Sequence, residues 1–110
     1  MSDEANLLDV LTYARRAIRA AKEKDAILRD EVAQSAVAYC ISVMGEAVKR
    51  LSPGFQRSHP EVNWSDIAKM RVLLVHAYHR VHWTVVWDTV TTSIPETLRL
   101  IEKLVPPKEK

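Results

Sequence analysis

The residues best suited to chemistry lie close together, between positions 71 and 82. Five residues of this segment are the candidates: one arginine, Arg71, one tyrosine, Tyr78, and the three histidines His76, His79 and His82. They stand in and around the most apolar run of the sequence, in which residues 72–75 are all aliphatic. A buried guanidinium is costly without a partner, so Arg71 requires a carboxylate, a phosphate or a path to water. Glu46 is the natural internal candidate for that carboxylate.

The spacing of Arg71 and His76 restricts how the two side chains could act together. On a straight α-helix they point roughly 140° apart, whereas Arg71 and Tyr78 nearly eclipse. They can cooperate only if the helix ends near His76, or if a second copy of the chain brings its own pair alongside. Because residues 72–75 are all apolar, the predicted helix has almost no polar face to expose to solvent. We therefore predict a homodimer that buries this segment.

A metal site is an alternative use of the histidines. His76, His79 and His82 recur at intervals of three, and imidazoles are the commonest zinc ligands. On a helix, the side chains of His76 and His82 therefore point roughly 120° apart around the axis. Asp88 is the nearest further ligand candidate. We therefore predict neither a metal nor another cofactor.

A basic face on the first predicted helix is a candidate contact with the phosphate backbone of a nucleic acid. Arg15, Arg19 and Lys22 share this face. An ordinary solvated surface produces the same pattern. Nucleic-acid binding through this face without cleavage is a further alternative, and it would show a steep dependence on salt.

Hydrophobic periodicity predicts an all-α chain, an up-and-down bundle of four to five helices. A second helix is predicted from an N-cap at Asp30 to about Leu51, and a third opens at Asn63 with Asp66 three residues later. The first helix carries one apolar stripe (Leu7, Leu11, Ala14, Ile18, Ala21). The second carries two, the first of them Val32, Ala36, Tyr39 and Val43, and the other Ala33, Val37, Cys40, Met44, Val48 and Leu51.

The remaining segments are shorter. Ser52-Pro53-Gly54 ends the second helix, and the connector after it has room for a single helical turn at most. The last helical stretch begins near His82, and Pro95 predicts a kink or a restart, with Ser93 and Glu96 placed for a fresh cap.

Composition sets the outer bounds of the protein. The chain has 110 residues, two glycines, one cysteine and a formal net charge of +2. We predict a single domain over residues 1–105, a flexible C-terminal tail at 106–110 and a buried Cys40. With neither a signal peptide nor a membrane span in the sequence, we expect a cytoplasmic protein with no membrane partner.

The order Arg71-x4-His76-x-Tyr78 resembles the motif of HEPN-domain ribonucleases, in the form found in HepT-like toxins. Flanking segments that occur in the same order as in this family support the resemblance: Leu7-Leu8-Asp9-Val10-Leu11, Gly45-Glu46-Ala47-Val48-Lys49-Arg50-Leu51-Ser52, His59-Pro60-Glu61-Val62-Asn63-Trp64 and Val85-Val86-Trp87. The resemblance covers nearly the whole chain. Because an isolated R-x4-H occurs often by chance, the joint occurrence of these segments makes the resemblance specific.

The resemblance implies a dimeric helical toxin of a type II toxin–antitoxin system that cuts RNA without metal. His76 would act as general base on the ribose 2′-hydroxyl, for which an imidazole is suited. Arg71, supported by Glu46, would stabilise the charge that develops on the phosphate oxygens. The expected product carries a 2′,3′-cyclic phosphate.

In this family the motif tyrosine has a separate role, which implies that Tyr78 receives AMP from a cognate antitoxin, a minimal nucleotidyltransferase. The added phosphate would block the cleft. The sequence departs from the family in two places: Val72 replaces a polar residue, and His82 stands where aspartate is frequent. A valine side chain cannot form hydrogen bonds. The alternative is therefore a catalytically silent HEPN dimer that serves as a binding or antitoxin-like partner of a nucleotidyltransferase.

Overall fold

The computed structural model describes residues 2–105, and this part of the chain forms seven α-helices and no strand. In chain order they are α1 (Asp3–Ala20), α2 (Lys24–Arg29), α3 (Glu31–Arg50), α4 (Pro53–Ser58), α5 (Trp64–His76), α6 (Trp83–Asp88) and α7 (Ile94–Glu102). A 3₁₀ turn (Tyr78–Arg80) follows α5, and a π-helical stretch (Thr89–Ser93) joins α6 to α7. The prediction of an all-α bundle is confirmed. The tail predicted at 106–110 lies outside the described residues.

The longest helix, α3, is the centre of the bundle. It packs against both α1 and α5, while α7 packs on α1, and the short α2 contacts α3 and α6. The apolar stripe predicted on α1 faces this core, as does the second stripe of α3, which includes the buried Cys40. Burial raises the pKa of the Cys40 thiol. As far as residues 2–105 are concerned, none of the helices has the length and apolar character needed to cross a bilayer.

Side-chain caps set the predicted starts of α3 and α5. The Asp30 carboxylate accepts a hydrogen bond from the backbone N–H of Val32 at 2.9 Å. The Asn63 side chain accepts one from the N–H of Asp66 at 3.3 Å and donates one to its carboxylate at 2.7 Å. Both predicted helix starts are therefore confirmed, and the second of them begins the helix that carries Arg71.

The first apolar stripe of α3 is largely exposed within one chain. Val32 is 78% exposed and Tyr39 is 62% exposed, and Ala36 between them is exposed as well. The helix does pack against more than one neighbour, as its wide apolar face suggests, but α1 and α5 cover mainly the second stripe. Within residues 2–105 this apolar strip along α3 is thus largely uncovered, although the Tyr39 ring packs edge-on against Tyr13 of α1 with 6.0 Å between centroids.

The connector between α3 and α5 is more helical than expected. It contains the six-residue α4 instead of one turn at most. The Ser52 hydroxyl caps α4 by accepting a hydrogen bond from the N–H of Phe55 at 3.2 Å. The Asp3 carboxylate accepts hydrogen bonds from the N–H of Ser52 at 2.8 Å and from its hydroxyl at 2.7 Å. These bonds lower the pKa of Asp3 and tie the start of α1 to the end of α3.

The fresh cap predicted before Pro95 is wrong. Ser93 has helical backbone angles and its side chain caps nothing. The chain instead passes through the π-helical stretch Thr89–Ser93 directly into α7. A proline lacks the N–H that would continue the α-helical ladder, and a π-helical stretch accommodates that loss without ending the helix.

Candidate active site

Gly45 allows α3 and α5 to cross at very short range. A Cβ atom built on Gly45 would overlap the Cβ of Arg71. The base of the Arg71 side chain therefore lies against the α3 backbone. Sequence reasoning missed this role, although one signal was available: a glycine inside a helical pattern often has a packing reason.

Glu46 holds the Arg71 guanidinium. Arg71 Nε lies 3.1 Å from Glu46 Oε2, and the two side chains are 26% and 36% exposed. The other Glu46 oxygen, Oε1, lies 3.7 Å from Arg50 Nη2. Glu46 thus supplies the partner that a partly buried guanidinium requires, and it lies between two cations.

The free edge of Arg71 is suited to an anion. Its ion pair with Glu46 uses Nε, and the terminal nitrogens make no hydrogen bond to any acceptor within residues 2–105. A guanidinium can bind a phosphate through two parallel N–H groups. The geometry therefore presents the terminal nitrogens for an oxyanion while Glu46 restrains the side chain.

His76 is the last residue of α5, and its side chain is exposed. The helix ends there because Ala77 leaves helical geometry, with its N–H donating to the Leu73 carbonyl at 2.9 Å. This end does not redirect His76, which still has helical geometry, so it points roughly 140° away from Arg71. One protomer therefore does not bring the two side chains together.

Around the circumference of α5, exposed apolar residues lie between Arg71 and His76. Val72 and Val75 are 47% and 49% exposed. The exposed strip of α3 runs beside these valines. Glu46 continues that strip at helical spacing from Tyr39, and Glu46 is the residue that pairs with Arg71 of α5. We name this combined surface the α3/α5 face. It carries the arginine, the histidine and the uncovered apolar strip on one side of the molecule.

Tyr78 lies on the turn after α5, so the eclipsed arrangement expected of a straight helix is wrong. Its hydroxyl is 3.4 Å from the Ser35 hydroxyl of α3. The half-buried ring packs edge-on against Trp83, with 5.4 Å between ring centroids. These contacts place Tyr78 against the start of α3, away from the Arg71–Glu46 pair near its end.

The basic face of α1 is not brought together with Arg71 and His76. Arg15 forms an ion pair with Glu102 of α7 at 2.8 Å, and both side chains are 45% exposed. Arg19 and Lys22 are exposed. Because α1 packs mainly on α3 and α7, these three residues lie away from α5.

The histidines do not assemble a ligand set. Among residues 2–105, no three histidine, cysteine, aspartate or glutamate side chains are grouped closely enough to hold a metal ion. His82 is instead the N-cap residue of α6, where its side chain makes no capping hydrogen bond. The zinc alternative therefore finds no support in this part of the chain.

Comparison with known proteins points to one family. Residues 7–104 match the family model described as HepT-like ribonuclease. A protein from Thermococcus cleftensis named "Probable ribonuclease HepT" is 42% identical over 77 residues, which cover 70% of each chain. A candidate RNase from Methanocaldococcus jannaschii is 32% identical over 104 residues, covering 93% of this chain and 90% of the relative. A candidate RNase from Caldanaerobacter subterraneus subsp. tengcongensis is 35% identical over 83 residues, covering 76% and 73%. No solved structure gives a significant match.

Proposed function

Because the chain belongs to the HepT-like ribonuclease family, we propose that it is the toxin of a type II toxin–antitoxin system and cuts RNA without metal. In this proposal it acts in the cytoplasm as a homodimer, and residues 1–105 of each copy form one HEPN-like domain. Arg71 and His76 carry the reaction. A nucleotidyltransferase neutralises the toxin by transferring AMP to Tyr78.

The observation that carries this proposal is the composition of the α3/α5 face. It combines a restrained guanidinium, an exposed imidazole and an uncovered apolar strip. An exposed apolar surface of this kind is typical of an interface. If two copies pair through the face about a twofold axis, each Arg71 can approach the His76 of the other copy. Pairing therefore covers the apolar strip and completes the site in one step.

The chemistry follows from the two side chains. Neutral His76 removes the proton of a ribose 2′-hydroxyl, and the 2′-oxygen attacks the adjacent phosphorus. Arg71 donates hydrogen bonds to the phosphate oxygens as negative charge grows on them. The bond from phosphorus to the 5′-oxygen breaks, and that oxygen takes a proton from water. The products are a 2′,3′-cyclic phosphate and a 5′-hydroxyl, and the nucleophile belongs to the RNA itself.

Analysis of the cleaved ends tests this function. The unmodified full-length chain, purified alone and assayed in excess EDTA, is expected to cut single-stranded RNA into fragments ending in 2′,3′-cyclic phosphate. The same RNA with 2′-deoxyribose at the cut site is the matched control and must stay intact. Cleavage of that deoxy substrate, or complete inhibition by EDTA, would contradict the mechanism.

The role of Tyr78 gives a prediction about modification. The phenolic oxygen attacks the α-phosphorus of ATP and pyrophosphate leaves, which attaches AMP to the toxin. Co-expression with the cognate nucleotidyltransferase is expected to increase the intact mass by whole AMP groups and to abolish RNA cleavage, because the new phosphate repels the substrate phosphate. Tyr78→Phe should remove the mass increase.

Tyr13→Phe is the matched control, because Tyr13 is also a half-buried tyrosine and lies on α1, outside the α3/α5 face. Its mass increase on co-expression should equal that of the parent. Full modification of Tyr78→Phe, or loss of modification in Tyr13→Phe, would assign the AMP to another residue.

Val72 favours a second candidate function, a catalytically silent dimer that binds a nucleotidyltransferase. It follows Arg71 directly and is 47% exposed, so no side-chain hydrogen bond can come from this position. The two candidates differ when the chain is expressed alone. The toxin stops growth and cuts RNA, whereas the silent dimer does neither while still binding its partner.

A further inference from the structure

An open depression of about 360 Å³ lies between the start of α3 and the turn that follows His76. Its lining combines aromatic rings with polar groups: Glu31, Gln34, Ser35, Tyr78, His79 and Trp83. We propose that this depression, here called the base pocket, holds one unpaired nucleobase of the RNA substrate and prefers guanine. The inference rests on the proposed ribonuclease function and adds a specificity-determining site to it.

The aromatic side of the base pocket is suited to stacking. Tyr78 packs edge-on against Trp83 with 5.4 Å between centroids, and its centroid lies 6.0 Å from that of His79. Mutual packing holds these rings in place. Proteins that read single-stranded RNA commonly stack splayed bases on such rings. The first aromatic residue of the pocket, Tyr78, comes two residues after His76. A base held here therefore belongs to a nucleotide close to the cleaved bond.

Gln34 supplies a fixed acceptor in the pocket. The residue is only 9% exposed, and its Nε2 donates to the Ile27 carbonyl at 2.9 Å. This bond fixes the amide orientation, so Oε1 is the remaining acceptor, and it has no hydrogen-bond partner among residues 2–105. Among residues 2–105, the buried side-chain oxygen without a partner is Asn6 Oδ1, so Gln34 Oε1 is open to solvent in the pocket. An N–H group from a ligand can therefore reach it and take the place of water.

Glu31 adds a second acceptor at the edge of the pocket. Its side chain is exposed, and an ionised carboxylate only accepts hydrogen bonds. Guanine presents two neighbouring donors, N1–H and the N2 amino group, which two carboxylate oxygens can accept together. Uracil presents a single N–H between two carbonyl oxygens, which a carboxylate repels. The two acceptors therefore favour guanine over uracil.

A binding comparison tests the base pocket without cleavage. The full-length His76→Ala chain is titrated with two labelled pentanucleotides, one of five uridines and one with a central guanosine, by fluorescence anisotropy. We expect the guanosine RNA to bind about tenfold more tightly, as one bidentate base contact provides. Glu31→Gln in the same background should remove this preference by weakening the binding of the guanosine RNA, whereas oligouridine, no longer facing a carboxylate, should not bind more weakly than before. Glu23→Gln, an exposed N-cap residue without a side-chain capping bond, is the matched control and should keep the preference.

Equal affinity for the two RNAs would overturn the proposal, as would Glu31→Gln lowering both affinities by the same factor. Failure of the proposed function would look different. In that case the parent chain, with His76 intact, would cut neither RNA even though the guanosine preference persisted.

Discussion

His76→Ala is expected to fold normally and to lose RNA cleavage by a factor of about 10²–10⁴, the usual contribution of a general base. The side chain is exposed at the last residue of α5, so its removal leaves no cavity and breaks no hydrogen bond within residues 2–105. The rate of cleavage of a short fluorogenic RNA at neutral pH measures the effect. Circular dichroism on the same sample verifies the helical content.

His82→Ala is the matched control for this prediction. His82 is also an exposed histidine, and it makes no capping hydrogen bond at the start of α6. The control should cut RNA at close to the parent rate. If His76→Ala cut as fast as the parent while His82→Ala did not, the base would have been assigned to the wrong histidine.

Gly45→Ala is expected to destabilise the protein and to impair cleavage together. Replacing glycine by alanine inside a helix ordinarily stabilises it by about 0.5–1 kcal/mol. Here the new methyl group would overlap the Cβ of Arg71 and approach its Cγ and Cδ to 3.2 Å. Such overpacking costs about 1–3 kcal/mol, and α5 must move away from α3 to relieve it. That movement separates the guanidinium from Glu46, and we expect cleavage to fall by at least about tenfold, as for a misplaced catalytic group.

Gly54→Ala provides the contrast, because a Cβ built on Gly54 meets nothing within 4 Å. The melting temperatures of both variants, taken at one protein concentration, measure the effect on stability. Gly54→Ala should melt within a few degrees of the parent, and Gly45→Ala several degrees below it. A higher melting temperature for Gly45→Ala would show that the two helices cross with more space than we infer.

The helices and the central ion pair could be predicted because local chemistry determines them. Asp30 and Asn63 have side chains that satisfy the first N–H groups of a helix, so they indicate helix starts directly. The pairing of Arg71 with Glu46 was expected for a different reason. A charge inside an apolar pattern requires an opposite charge, and Glu46 is the carboxylate that interrupts the apolar pattern of α3.

Other features depend on contacts between distant residues and could not be predicted. No glycine follows His76, and the next proline is Pro95, so nothing local indicates that α5 ends there. The turn instead accompanies the packing of Tyr78 against Trp83 and α3. Similarly, the exposure of Val32 and Tyr39 depends on which side of α3 its neighbours occupy, and both sides of the apolar pattern look alike in the sequence.

The central claim is that the active groups come from two copies of the chain. Within one helix, Arg71 and His76 diverge, and the apolar strip beside them is uncovered. Both observations are explained if the α3/α5 faces of two copies meet. This arrangement makes a prediction about mixtures of inactive variants, because a composite site takes its arginine from one copy and its histidine from the other.

The most direct measurement is therefore subunit complementation between Arg71→Ala and His76→Ala. Each variant alone is expected to be inactive. After equal amounts are mixed and allowed to exchange subunits, half of the dimers contain one copy of each, and each of these has one intact pair. The mixture should recover about one quarter of the parent activity if the dimer is symmetric and pairs at random. A mixture that exchanges subunits fully, as native mass spectrometry would show, and yet stays as inactive as its components would contradict the shared site.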